Sequence, residues 1–164
     1  MIRDARPEDA AGLWALQRAL LEDGHGTVRA PEDLPSVEAF RERKYAVHLV
    51  AEEAGAIVGE ATIGKLGNAS YLAHVGMLAM GVHPEHQRRG WGRKLLRGLI
   101  ARAPEQGILR LELYTRADNE RAQALYRSEG FVHEGTRARL VRLPDGTFVD
   151  DYIMVRFFEP LRIG

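Results

Sequence analysis

The residues best equipped for chemistry lie in one stretch, Met80-Gly81-Val82-His83-Pro84-Glu85-His86-Gln87-Arg88-Arg89-Gly90-Trp91-Gly92-Arg93-Lys94-Leu95-Leu96. An apolar run stops at His83-Pro84, and a polar loop leads into a helical pattern whose first turn carries Gly90 and Gly92. The first N–H groups of a helix have no partner inside it, and the helix dipole adds positive potential at that end. Glycine lets a ligand approach the backbone closely, and Arg88, Arg89 and Arg93 add charge, so the stretch reads as a cradle for a pyrophosphate. A P-loop needs Gly-Lys-Ser/Thr where Gly92-Arg93-Lys94 stands, and a dinucleotide fingerprint needs a third glycine at Leu95. Glu112 does fall at the distance of a ribose-binding acid, but seven residues, His83 to Arg89, separate the strand from Gly90. The structural alternative is a solvated basic helix start.

The second group is Asn119-Glu120-Arg121-Ala122-Gln123-Ala124-Leu125-Tyr126, followed by Arg127-Ser128-Glu129-Gly130-Phe131. Asn119 and Tyr126 are seven residues apart, nearly two helical turns, and so share a face. Taken singly, Asn119 reads as a helix cap and Tyr126 as a core aromatic. Trp91 reads as packing the helix start onto a sheet, and Asp150 and Asp151 as surface charges of a hairpin or, alternatively, as carboxylates facing the site. His25, His83, His86 and His133 show no metal-ligand spacing and the chain has no Cys, so no metal is expected.

These side chains need a scaffold, and the apolar periodicity supplies one. Residues 1–6 are β-compatible, and Pro7-Glu8-Asp9 opens a helical stripe through Leu13, Trp14, Leu16 and Leu20. A loop spans His25 to Pro35, and a second helix runs from an N-capping Ser36 to about Lys44. Strands at 47–52 and 57–63 flank the turn Glu53-Ala54-Gly55-Ala56, and 72–82, apolar almost throughout, reads as the central strand. A helix at 90–103, a strand at 108–115, a helix at 119–129 ended by Gly130, and a hairpin of 132–143 with 147–158 complete the chain. The order β-αα-βββ-α-β-α-ββ is that of one α+β domain over residues 1–164. Its sheet is mixed and mostly antiparallel, with a single parallel crossover.

The 164 residues carry 23 Lys+Arg and 23 Asp+Glu, with 45% hydrophobic content, as expected of a soluble globular protein. Zero formal charge argues against nucleic-acid binding by bulk charge. No apolar stretch approaches the ~20 residues that span a bilayer, and the charged start is not a signal peptide, so a cytoplasmic protein without a membrane partner is expected.

Together, Gln87-Arg88-Arg89-Gly90-Trp91-Gly92 and Asn119-x-x-Ala122-x-x-Leu125-Tyr126-x-x-x-Gly130-Phe131 resemble the signature of the GCN5-related N-acetyltransferases (GNAT). The Ile2-Arg3-x-Ala5 opening with Asp9 and the element order are also similar. The C-terminal run Gly130-Phe131-x-x-Glu134-Gly135-Thr136, with Asp145-Gly146-x-x-Val149-Asp150-x-Tyr152-x-Met154 and His74-Val75, resembles the branch of L-amino-acid and small-amine acetylators.

The resemblance implies a GNAT-type fold of about seven strands and four helices, splayed as a V between the strands at 72–82 and 108–115. Acetyl-CoA would be the cosubstrate. Met80, Gly81 and Val82 would hold the pantetheine arm, and N–H groups from Arg88 through Arg89, Gly90, Trp91 and Gly92 to Arg93 the pyrophosphate. Asn119 would bond pantetheine or a water, and Tyr126 would reach the sulfur. The implied partner is a small-molecule amine, an amino acid or a xenobiotic amine, and the family allows a homodimer.

Acetyl transfer needs a neutral amine, a polarised thioester carbonyl, close approach and a proton for the departing thiolate. A phenol is protonated at neutral pH, which makes Tyr126 the general acid. The branch often has an acid two or three residues after His-Val, where Met77 and Leu78 stand here. Glu112, Tyr114, His74 and Glu60 are left as bases, with none singled out. Three other functions compete: protein or peptide N-acetylation, a non-catalytic CoA-binding role, and nucleic-acid binding through Arg88, Arg89, Arg93, Lys94 and Arg97.

Overall fold

In the computed structural model, which describes residues 1–159, the strands are β1 (Ile2–Asp4), β2 (Val47–Glu53), β3 (Ala56–Lys65), β4 (Val75–Val82), β5 (Arg110–Arg116), β6 (Val132–Arg142) and β7 (Phe148–Phe157). Residues 160–164 of the domain expected over 1–164 lie outside the described residues. The seven strands form one sheet in the order β1-β2-β3-β4-β5-β7-β6. Every neighbouring pair is antiparallel except β4 with β5. Four α-helices are described, α1 (Ala10–Asp23), α2 (Val37–Arg41), α3 (Trp91–Arg102) and α4 (Glu120–Ser128).

Local chemistry accounts for most of the boundaries. Ala54 and Gly55 turn β2 into β3 with φ of 50° and 80°, two left-handed residues in succession as a tight hairpin requires. Asn119 caps α4, its side chain accepting from Ala122 N at 3.3 Å, and Gly130 leaves that helix with φ 90°. Ser36 caps α2 by accepting from Ala39 N, but the helix stops at Arg41 rather than near Lys44. The central strand begins at Val75 rather than Leu72, because Ser70–Leu72 coils into a single 3-10 turn that leaves Tyr71 in solvent.

The core lies between the sheet and α3, whose Leu95, Leu96 and Leu99 are fully buried with Ile63, Leu111 and Met154. Helix α1 covers the opposite face, where Leu20 packs on Gly81 so closely that a Cβ there would overlap it.

The parallel pairing of β4 with β5 covers only Val75 with Arg110, Gly76 with Leu111 and Met77 with Glu112. Beyond it β4 stays with β3 up to Val82, and β5 stays with β7 up to Arg116. The C-terminal halves therefore part company in a V, and the facing edges keep backbone groups without strand partners.

Candidate functional site

The V opens into a cavity of about 970 Å³ that runs from the start of α3, past β4 and α4, to the face of β3 covered by α1. A smaller cavity of about 340 Å³, lined by Met77, Ala79, Leu113, Thr115 and Tyr126, fills the V itself. Met80, Gly81, Val82, Arg88, Gly90, Gly92, Arg93, Asn119 and Tyr126 all line the larger space. The side chains of Arg89 and Trp91 do not. Arg89 reaches Glu53 at 3.3 Å, and Trp91 packs against the core with its indole Nε1 buried and unpaired, so their expected contribution falls to backbone N–H groups.

At the α3 end, Arg88 and Gly90 have φ of 63° and 83° with Arg89 between them on the ordinary side. Such alternation turns successive N–H groups toward one concavity, the geometry of an anion nest. Gly90 is the N-cap and has no side chain to close the helix, so the first-turn N–H groups of α3 remain uncapped. The chemistry and the room fit a diphosphate: a Cβ on Gly90 would meet nothing within 4 Å.

Charge is distributed differently from the sequence expectation. Arg93 is committed to Glu129, which also takes Arg97. Among the described residues Arg88 has no carboxylate partner. Arg121 of α4, which sequence reasoning passed over, lines the same mouth and donates to Gln87 Oε1 at 3.2 Å. Gln87 in turn donates to the carbonyl of Val82 at 3.1 Å, while His83 N donates to Val58 across the ladder. Antiparallel alternation then points the N–H and C=O of Met80 toward the open edge of β4.

Tyr126 lines both cavities, is 8% exposed and sets its ring against Phe131 at 5.9 Å. Burial pushes its phenol up to about 12, because a phenolate there would lose its hydration. Its hydroxyl has no hydrogen-bond partner among the described residues. Asn119 spends its Oδ1 on the helix cap and lays its Nδ2 against Gly26, leaving the amide N–H groups as donors at the wall of the cavity.

The other end of the cavity was least visible in the sequence. Glu60 on β3 is buried, accepts from Gln17 Nε2 at 2.9 Å, and lies 2.7 Å from His48 Nε2. Tyr45 stands edge-on to His48, and its phenol is raised by burial. Arg29 and Arg43 line the same end with no carboxylate partner among the described residues; Arg43 stacks on Phe40 at 3.9 Å. The loop carrying Gly26, Thr27 and Arg29 is tied down by Arg116.

Three of the four candidate bases sit elsewhere or are occupied. Glu112 is buried, pairs with Arg110 at 2.8 Å and accepts from Tyr114 at 3.0 Å, and it lines neither cavity. Tyr114 borders the smaller cavity but donates to Glu112, and His74 is exposed before β4. Asp151, read as a surface charge, is 1% exposed and pairs with Arg137, since β7 is flanked on both sides by strands. Asp150 does lie outward and accepts from Arg139 N at 2.7 Å. Among the described residues no group of three His, Cys, Asp or Glu is placed to hold a metal, and no helix is long and apolar enough to cross a membrane.

Residues 13–131 match the acetyltransferase (GNAT) family. The chain is 41% identical over 109 residues to the N-alpha-acetyltransferase RimI of Mycobacterium tuberculosis, covering 65% of this chain and 63% of that protein. It is 35% identical over 138 residues to the L-amino acid N-acyltransferase MnaT of Escherichia coli, covering 80% and 78%. The crystal structure of a GNAT-family acetyltransferase from Streptococcus pneumoniae superposes with a TM-score of 0.89 at 28% identity, over 96% of this chain and 99% of that one. Fold, cradle and sequence agree, and the chain belongs to the GNAT family of acetyltransferases.

Proposed function

We propose that this protein transfers the acetyl group of acetyl-CoA to the primary amine of a small molecule, an amino acid or a xenobiotic amine. The observation that carries the reading is one continuous cavity that joins an uncapped helix start, an unpaired strand edge and a buried tyrosine. The helix start, with Arg88 and Arg121, takes the diphosphate, and the edge of β4 at Met80 to Val82 takes the pantetheine amides as an added strand would. A backbone N–H of that edge polarises the thioester carbonyl, an effect of about 2.7–4 kcal/mol per donor in other acyl-transfer sites.

The amine nitrogen attacks the carbonyl carbon, the C–N bond forms and the C–S bond breaks, and the sulfur receives a proton from Tyr126. A phenol is protonated throughout the neutral range, which supports this role. The phenol regains its proton from the nitrogen of the adduct, so it ends the cycle as it began.

Opposed charges at the far end favour an acceptor that carries both an amine and an anion. Glu60 suits an ammonium, whereas Arg29 and Arg43 suit a carboxylate or phosphinate. The similarity to a protein named for N-alpha-acetylation supports a second reading, in which the acceptor is a peptide N-terminus. Thiol release from acetyl-CoA across free amino acids, polyamines and short peptides separates the two, and a chain without Cys adds no thiol background. Release with free amino acids supports the first reading and release with peptides alone the second. Silence in protein that binds acetyl-CoA leaves a non-catalytic CoA-binding role.

A further inference from the structure

We infer that Glu60, with His48, removes the proton from the incoming amine; this rests on the acetyltransfer reading above. Glu60 is 5% exposed, yet it lines the cavity, and it faces Gly81 directly across the β3–β4 ladder. Directly opposed residues stand about 4.5–5.5 Å apart at Cα, so the carboxylate is one strand away from the edge assigned to pantetheine. Gln17 from α1 donates to one carboxylate oxygen at 2.9 Å, and His48 from β2 contacts the other at 2.7 Å. Thr62, Tyr45, Arg29 and Arg43 complete the charged and polar surroundings on this side of the cavity.

Among the described residues no Arg or Lys neutralises Glu60, in contrast to Glu112, Glu129 and Asp151. A buried carboxylate without a permanent cation carries a desolvation cost of several kcal/mol. A structural tie between α1, β2 and β3 needs only a neutral amide at that position. A carboxylate held against an imidazole, at the end of the cavity away from the phosphate cradle, is suited to receive a cationic amine and its proton.

The proton balance closes. An ammonium gives one proton to the Glu60–His48 pair, and its freed lone pair forms the C–N bond. The C–S bond breaks with the Tyr126 proton going to sulfur, the second nitrogen proton restores the phenol, and the Glu60–His48 pair releases its proton to solvent.

The test compares amines of different basicity at pH 7. L-Alanine is protonated there, whereas hydroxylamine and 2,2,2-trifluoroethylamine are largely neutral and need no base. In Glu60→Gln, which keeps the shape and hydrogen bonds of the site, acetylation of L-alanine should fall by about 100-fold or more while the neutral amines react at about the wild-type rate. His48→Gln should show the same selectivity to a lesser degree, and acetyl-CoA affinity by calorimetry should be unchanged in both. Equal losses for both kinds of amine, or no loss for either, overturn the assignment of the base while leaving acetyl transfer in place. A wild-type protein that acetylates none of these amines overturns the small-amine reading and the inference with it.

Discussion

Arg116 on β5 donates through Nη1 to the carbonyl of Thr27 at 2.9 Å, joining the strand to the loop that follows α1 across 89 residues of chain. The same guanidinium reaches the carbonyl of Gly24 at 3.4 Å and holds Asp118 through Nε at 2.9 Å. Asp118 precedes the cap of α4, and the loop bears Gly26 against Asn119, so one buried side chain sets the spacing of two cavity walls.

Arg116→Ala should therefore lower stability by about 2–4 kcal/mol, the sum of several lost hydrogen bonds. It should also raise KM for the acceptor, with a smaller change in acetyl-CoA affinity. Arg116→Lys recovers part of the stability but not KM, because a single ammonium cannot span Asp118 and Thr27 as a planar guanidinium does. Urea unfolding and steady-state kinetics on the two variants check both statements.

Tyr126→Phe should reduce kcat by about 10²–10⁴-fold and leave acetyl-CoA affinity unaltered. An unchanged rate removes Tyr126 as the acid. Its folded-state phenol, at about 12, lies above the value of about 10 in an unfolded chain. The associated stability is complete below pH 10 and is lost as pH rises toward 12, since only the unfolded chain ionises in that window. The loss reaches about 2–3 kcal/mol, and Tyr126→Phe should lack it in unfolding midpoints taken against pH.

Gly90→Val should weaken acetyl-CoA binding at least about fivefold, through backbone strain of about 1–3 kcal/mol at φ 83°. Crowding within the protein is not the cause, because the space beyond Gly90 is open. Gly92→Ala meets only ordinary contact with Leu125 at 3.5 Å and should be mild. Arg121→Ala should weaken binding and flatten its dependence on salt. Calorimetry with acetyl-CoA reads all three, and normal affinity in a folded Gly90→Val protein discards the cradle.

Asp9 accepts two hydrogen bonds from Arg3, each at 2.8 Å, and Arg3 also holds Glu52. The guanidinium keeps the Asp9 carboxyl below the usual carboxylate range. This contribution is present above about pH 4 and is lost as pH falls through the lowered folded-state value. Asp9→Asn should cost about 2–3 kcal/mol at neutral pH, with Glu52 still compensating Arg3, and should reduce the acid sensitivity of the unfolding midpoint.

Element order, the glycine that ends α4, the Asn119 cap and the glycine-bearing start of α3 could all be read along the chain, because each depends on residues within about two turns of one another. The tertiary structure decided which charges are free. Glu129 comes to Arg93 and Arg97 from the end of α4, and Glu53 to Arg89 from β2, leaving Arg88 with Arg121 at the mouth of the cavity. It buried Asp151 against Arg137 on the neighbouring strand and withdrew Glu112 into a pair with Arg110. It also brought Gln17, His48 and Glu60 together from three elements. Periodicity assigns a side chain to a face of its own element, but what it meets there depends on how distant segments pair and pack, which no local spacing encodes.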